Sequence, residues 1–127
     1  MIVISCLPAI AIANVNIELN KTEQRNNSCR VYLVIKNDTD LAFNTFKMDM
    51  VLFNKEDIIS KNMALNIAPL QSAKKIVKAF DVKNIKCDGI GSILINKVME
   101  CEAEPNSNSD CIAMINTSSK NNISISK

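Results

Sequence analysis

Histidine is absent from this chain, and that gap alone excludes several chemistries. A Ser-His-Asp or Cys-His relay needs an imidazole to take and return a proton near neutral pH, so neither can be assembled. Zinc sites draw on Cys and His, usually as close pairs, and the five cysteines contain no Cys-x-x-Cys. The missing close dithiol also argues against thiol–disulfide exchange. Glycine is scarce, at two residues in 127. Gly89-Ile90-Gly91 lacks the third glycine, the following lysine and the helix of a phosphate cradle, and reads as a tight turn. The net charge is only +2, with basic residues scattered as singles apart from Lys74-Lys75. No basic stripe with interleaved aromatics forms, so nucleic acid is not an expected partner.

Acids are present, and Glu100, Glu102 and Glu104 are the tightest cluster. A two-carboxylate hydrolase needs such groups. At alternating positions beside a Pro/Asn/Ser loop, however, these three read as a solvated hairpin tip. Together with Asn106, Asn108 and Asp110 the loop offers oxygens to Ca²⁺, but without the glycine and spacing of a calcium loop. Met48, Met50 and Met63, and Phe43, Phe46, Phe53 and Phe80, fall among apolar neighbours at strand spacing and read as core. The sequence therefore offers no catalytic, cofactor or metal residues, and an enzyme is not expected.

Residues 1–13 read as a signal peptide. An apolar run, Ile2 to Ala13, ends in Ala11-Ile12-Ala13, a small-residue cleavage pattern. The run is too short to span a bilayer, which takes about 20 apolar residues. No Lys or Arg precedes it, so either translation starts further upstream or the segment is an apolar first strand. Val3-Ile4-Ser5-Cys6 has a lipobox-like pattern, with only five residues before the cysteine. Cleavage after Ala13 removes Cys6 and leaves Cys29, Cys87, Cys101 and Cys111, an even set. In a small exported domain such a set reads as two disulfides. The mature chain then has no transmembrane segment. Its Asn, Ile and Lys content matches AT-rich coding, which discounts the Asn-x-Ser/Thr matches at Asn26, Asn37, Asn116 and Asn122.

Period-two alternation dominates from Asn14 onward. It predicts strands at Val15–Asn20, Cys29–Lys36, Phe43–Phe53, Ile58–Ile67, Lys74–Val82, Ile90–Met99 and Cys111–Asn116. Turn residues separate them, notably Asn37-Asp38-Thr39-Asp40 and Asn54-Lys55-Glu56-Asp57. Pro69 ends the fourth strand because it cannot donate to a ladder. The expected fold is all-β, an immunoglobulin-like antiparallel β-sandwich of about seven strands over residues 14–118. Residues 119–127, mostly Ser, Asn and Lys, read as a mobile tail, although Ile123 and Ile125 have the spacing to extend the last strand.

Four segments carry a family resemblance: Leu33-Val-Ile-Lys-Asn37, Lys47-Met-Asp-Met-Val-Leu-Phe53, Ala68-Pro-Leu70 and Ala79-Phe-Asp81. Over roughly residues 31–82 the chain resembles the FxLYD type of bacterial envelope Ig-like domain, whose aromatic anchors fall at Phe53 and Phe80. Over most of its length it is also similar to small exported alphaproteobacterial proteins of unknown function, with cysteines at comparable positions. Members of that family often carry a twin-arginine signal, and this chain has no Arg-Arg pair. No activity is established for the family, so the resemblance implies no site residues.

Under the Ig-like path, Cys29 and Cys87 precede strands that start at one end of the sandwich. Cys101 and Cys111 lie at the other end. A ten-residue strand spans about 33 Å, while bridged Cα atoms lie within about 7 Å. Cys29–Cys87 and Cys101–Cys111 are the pairs compatible with this path, the second closing a hairpin. The expected role is that of a non-enzymatic envelope protein in the periplasm, contacting a protein partner. The alternative is a secreted interaction protein acting outside the cell, and a carboxylate hydrolase ranks third. The intact mass of the exported form should correspond to a chain starting at Asn14, and a mass retaining residues 1–13 contradicts the leader.

Overall fold

The computed structural model describes residues 2–4, 13–104 and 110–127. Most of the expected leader, Cys6 included, lies outside the described residues, as do Pro105, Asn106 and Asn108. Strand forms wherever alternation lets one face be buried. β1 (Val15–Gln24) buries Val15, Ile17 and Leu19, and β2 (Ser28–Asn37) buries Cys29, Val31, Leu33 and Ile35. Residues two apart share a face, so each set makes one apolar stripe. β3 (Ala42–Phe53) buries Phe46, Met48, Met50 and Leu52. A register shift between Phe43 and Thr45 lets Phe43 also face inward. The Phe43 and Phe46 rings then meet edge to face, with centroids 5.2 Å apart. β4 (Ile59–Asn66), β5 (Lys75–Lys83) and β6 (Ser92–Glu104) follow. β7 (Ile115–Ser119) and β8 (Ser124–Ser126) complete the described strands.

The strands pack as an all-β, immunoglobulin-like sandwich of two four-stranded sheets. Their orders are β5-β2-β1-β7 and β4-β3-β6-β8. The sheets are mixed rather than antiparallel throughout: β1 runs parallel to β7, and β6 parallel to β8. The described strands number eight, in keeping with the about seven expected. The expected strand at Cys111–Asn116 begins as one helical turn, α1 (Cys111–Met114), because the chain is crossing from β6 in the second sheet to β7 in the first. The expected tail at 119–127 is built into the fold. Ile123 and Ile125 are buried, and β8 pairs with β6. Polar side chains shape the turn before it: Ser119 Oγ accepts from Asn121 N–H and donates to Ile123 C=O at 2.6 Å.

Each sheet-to-sheet crossing strips backbone groups of ladder partners, which must be replaced when they are buried. Asn37 does this for two crossings. Its side chain is fully buried at the end of β2 and donates to Leu41 C=O at 2.8 Å and Gln71 C=O at 3.1 Å. Its Oδ1 accepts from Thr39 N–H at 3.1 Å and Thr39 Oγ1 at 2.6 Å. Its main chain accepts from Ala73 N–H and donates to Lys74 C=O. The β2–β3 turn is thereby joined to the β4–β5 loop, which passes through the cis Ala68–Pro69 peptide. Asn37 and Thr39 are the buried polar residues among those described.

The two disulfides serve two other crossings. Cys29 on β2 bridges Cys87, in the 3₁₀ turn Cys87–Gly89 between β5 and β6, with Cα atoms 4.9 Å apart. Cys101 on β6 bridges Cys111 at the start of α1, with Cα atoms 6.6 Å apart. The second bridge closes a crossover between sheets rather than a hairpin, since β6 and β7 do not pair.

Two stability outcomes follow from these ties. Asn37→Ala should cost about 2–4 kcal/mol in denaturant unfolding, since it leaves several buried backbone groups unpaired. Asn37→Asp should also destabilise, because a carboxylate cannot donate to the carbonyls of Leu41 and Gln71. Replacing Cys29 and Cys87 by serine should cost about 4 kcal/mol and replacing Cys101 and Cys111 about 3, following loop length. The bridges close separations of 58 and 10 residues. Equal or reversed losses count against the loop-entropy account.

Candidate interaction surface

The acidic residues weighed and set aside in the sequence lie on β6 and at the start of α1. Glu100, Glu102 and Glu104 are exposed at alternate positions on the solvent face of β6, which continues five residues past its expected end at Met99. They line one face of a strand rather than a hairpin tip. Asp110 is exposed at the start of α1. Among the described residues no group of three His, Cys, Asp or Glu side chains converges as a metal site. Gly91 has a packing role. Its N–H donates to Phe53 C=O at 2.8 Å, and a Cβ there would lie 2.5 Å from Asn54 O. The β3–β4 turn thus presses against the entry to β6, and only glycine fits the contact.

That turn presents two adjacent exposed apolar side chains. The side chain of Asn54 accepts from the N–H groups of Glu56 and Ile58, at 2.9 and 3.0 Å. Asn54 N–H donates to Ile58 C=O at 2.8 Å, and Asp57 adopts φ 64°. Such an Asx-bonded turn tolerates the left-handed residue because aspartate is among the side chains that favour it. Ile58 and Ile59 emerge from it 57% and 65% exposed.

The same patch continues onto the outer face of the second sheet. Inward positions on β3 are Met48, Met50 and Leu52, so Lys47, Asp49, Val51 and Phe53 face out. Phe53 therefore stands half-buried on the outer face and not in the core, where the spacing of aromatics had placed it. It lies opposite Ile59 on β4, and Val51 opposite Leu94 on β6. Cross-strand partners share a face, so these four form one apolar strip continuous with Ile58. Val51 is only 8% exposed although it faces outward, which shows how closely its neighbours pack. Further along the face polar groups take over: Lys47 lies opposite Glu100, and Asn96 Nδ2 donates to Asp49 at 3.1 Å.

The outer face of the first sheet carries the exposed Val77 opposite Val34, with polar pairs beside them. Arg30 donates to both carboxylate oxygens of Asp81, at 2.8 and 3.0 Å. This contact raises the arginine pKa and holds Asp81 below its usual carboxylate range. The Asp81 contribution is present above the ordinary carboxylate pKa and is lost as pH falls through the depressed folded value. It is small, because both groups are open to solvent. Beside the pair, Lys21 lies over the Tyr32 ring at 4.9 Å, and Tyr32 Oη donates to Glu23 at 3.2 Å.

The apolar strip left a trace in the sequence that alternation overrode. Ile58 and Ile59 are adjacent, so in an extended strand both cannot face the core. Phe53 is out of phase with Met48, Met50 and Leu52. Both marks point to apolar side chains on the solvent face.

No protein-family model matches the chain, and no curated protein matches it. In structure it is similar to IrmA from Escherichia coli, with a TM-score of 0.57 at 10% sequence identity. The likeness covers 83% of this chain and 91% of that one, and it establishes a shared β-sandwich fold.

Proposed function

We propose that this chain is a non-enzymatic exported module of the bacterial envelope that uses its sandwich to hold a protein partner. The observation that carries the reading is the strip of Ile58, Ile59, Phe53, Val51 and Leu94, an apolar patch bordered by charged residues. Soluble domains keep few such patches unless something covers them. Supporting it, two disulfides fit an oxidising compartment. Among the described residues no helix is long and apolar enough to cross a membrane. The resemblance to FxLYD-type envelope domains points the same way.

Fractionation of cells expressing a tagged full-length form separates the two locations. Retention in the periplasm supports the envelope reading, and accumulation in culture supernatant supports the secreted alternative. In crosslinking on intact cells, Ile58→Asp and Ile59→Asp should each lower the yield of a discrete adduct by about tenfold, as expected for central apolar anchors. Val77→Asp, on the opposite outer face, should leave it unchanged. Equal loss from all three variants counts against this strip as the contact surface.

A further inference from the structure

β4 and β5 each end a sheet, and an end strand offers a free row of N–H and C=O groups to any passing strand. Both strands carry a lysine on the face where a core residue belongs. Lys61 lies directly opposite Leu52 on β3, and Lys78 directly opposite Leu33 on β2. Both leucines are fully buried, and direct partners share a face, so the two lysines point toward the interior side of their sheets. Exposure follows the same phase. Lys61 and Lys78 are half-buried, while Ser60, Asn62, Val77 and Ala79 beside them are exposed. Other residues in that phase, Met63, Leu65 and Ile76, pack against the core.

We infer that Lys61 and Lys78 close the β4 and β5 edges to strand addition, so that neither a second copy nor an extended peptide joins the sandwich there. The side-chain stem of each lysine lies along apolar surface while its ammonium reaches water past the open edge. A strand hydrogen-bonded to that edge would cover this exit and leave the ammonium buried without a partner, which is strongly unfavourable. The positions matter as much as the charge. Lys75 and Lys83, outward on β5, stay solvated whether or not a strand is added. The inference stands apart from the identity of any partner.

The test uses the full mature chain with Lys61→Met, Lys78→Met and the double variant, which keep the stem and remove the ammonium. Lys75→Met serves as the outward control. Light scattering coupled to size exclusion reports association, and amide hydrogen exchange reports whether edge N–H groups become protected. The inward variants should associate roughly tenfold or more tightly than the unmodified chain, since one buried charge costs at least that much. New exchange protection should be confined to β4 for Lys61→Met and to β5 for Lys78→Met, with Lys75→Met unchanged. Valine in place of methionine repeats the test should either variant unfold. Inward variants that fold and show no added association or edge protection overturn the inference. So does an unmodified chain whose β4 or β5 edge amides are already protected in an oligomer.

Discussion

The carboxamide of Asn37 is the contact on which the sandwich most depends. Two apolar sheets pack readily, but nothing in apolar packing says where the chain must leave one sheet for the other. At the end of β2 that choice is made by one side chain with two donors and an oxygen acceptor, all bonded to protein groups. It binds the β2–β3 turn on one side and the loop entering β5 on the other. Ser72 adds to the joint by donating to Thr39 C=O at 2.6 Å. Buried polar groups satisfied in this way specify geometry more than they add net stability, because alternatives leave a group unpaired.

The disulfides fix two of the crossings that Asn37 does not reach, and they do so differently. A covalent tie mainly limits the unfolded chain, whereas a buried amide penalises every misplaced native-like arrangement. The turn that carries Cys87 also receives a polar contact, since Cys87 N–H donates to Gln24 Oε1 at 2.8 Å. The last crossing, from β7 to β8, has no bridge and relies on Ser119 and Asn121 bonding their own backbone. The chain thus meets one recurring problem with three kinds of chemistry.

Much of the fold was legible because burial of one face leaves a period of two in the sequence. Val15 to Leu19, Cys29 to Ile35 and Phe46 to Leu52 became strands with the expected inward residues. What alternation could not show is which side of the sandwich a short polar strand joins. Ile123 and Ile125 were two apolar positions in a Ser/Asn context, too few to outweigh composition, yet enough to fill space beside β6. α1 escaped for the opposite reason. Ile112, Ala113 and Met114 look strand-like, and the helical turn is imposed by the need to change sheets. The outer apolar strip was hidden by the assumption that aromatics belong inside, which fails for Phe53. Asn37 was legible as a turn residue at the end of a strand, and its burial and bonds to the β4–β5 loop show that it also joins two crossings.

The parallel pairing of β1 with β7 has a consequence for timing. Asn16 and Asn116 are hydrogen-bonded neighbours 100 residues apart in sequence. A chain delivered N-terminus first therefore holds β1 with one flank open until nearly everything after it has appeared. At synthesis rates of about 5–20 residues per second that interval is on the order of 5–20 s. β2 can cover the other flank early as a hairpin, but a lone hairpin is marginal in water. The second flank of β1 is therefore covered only when residues 115–119 become available.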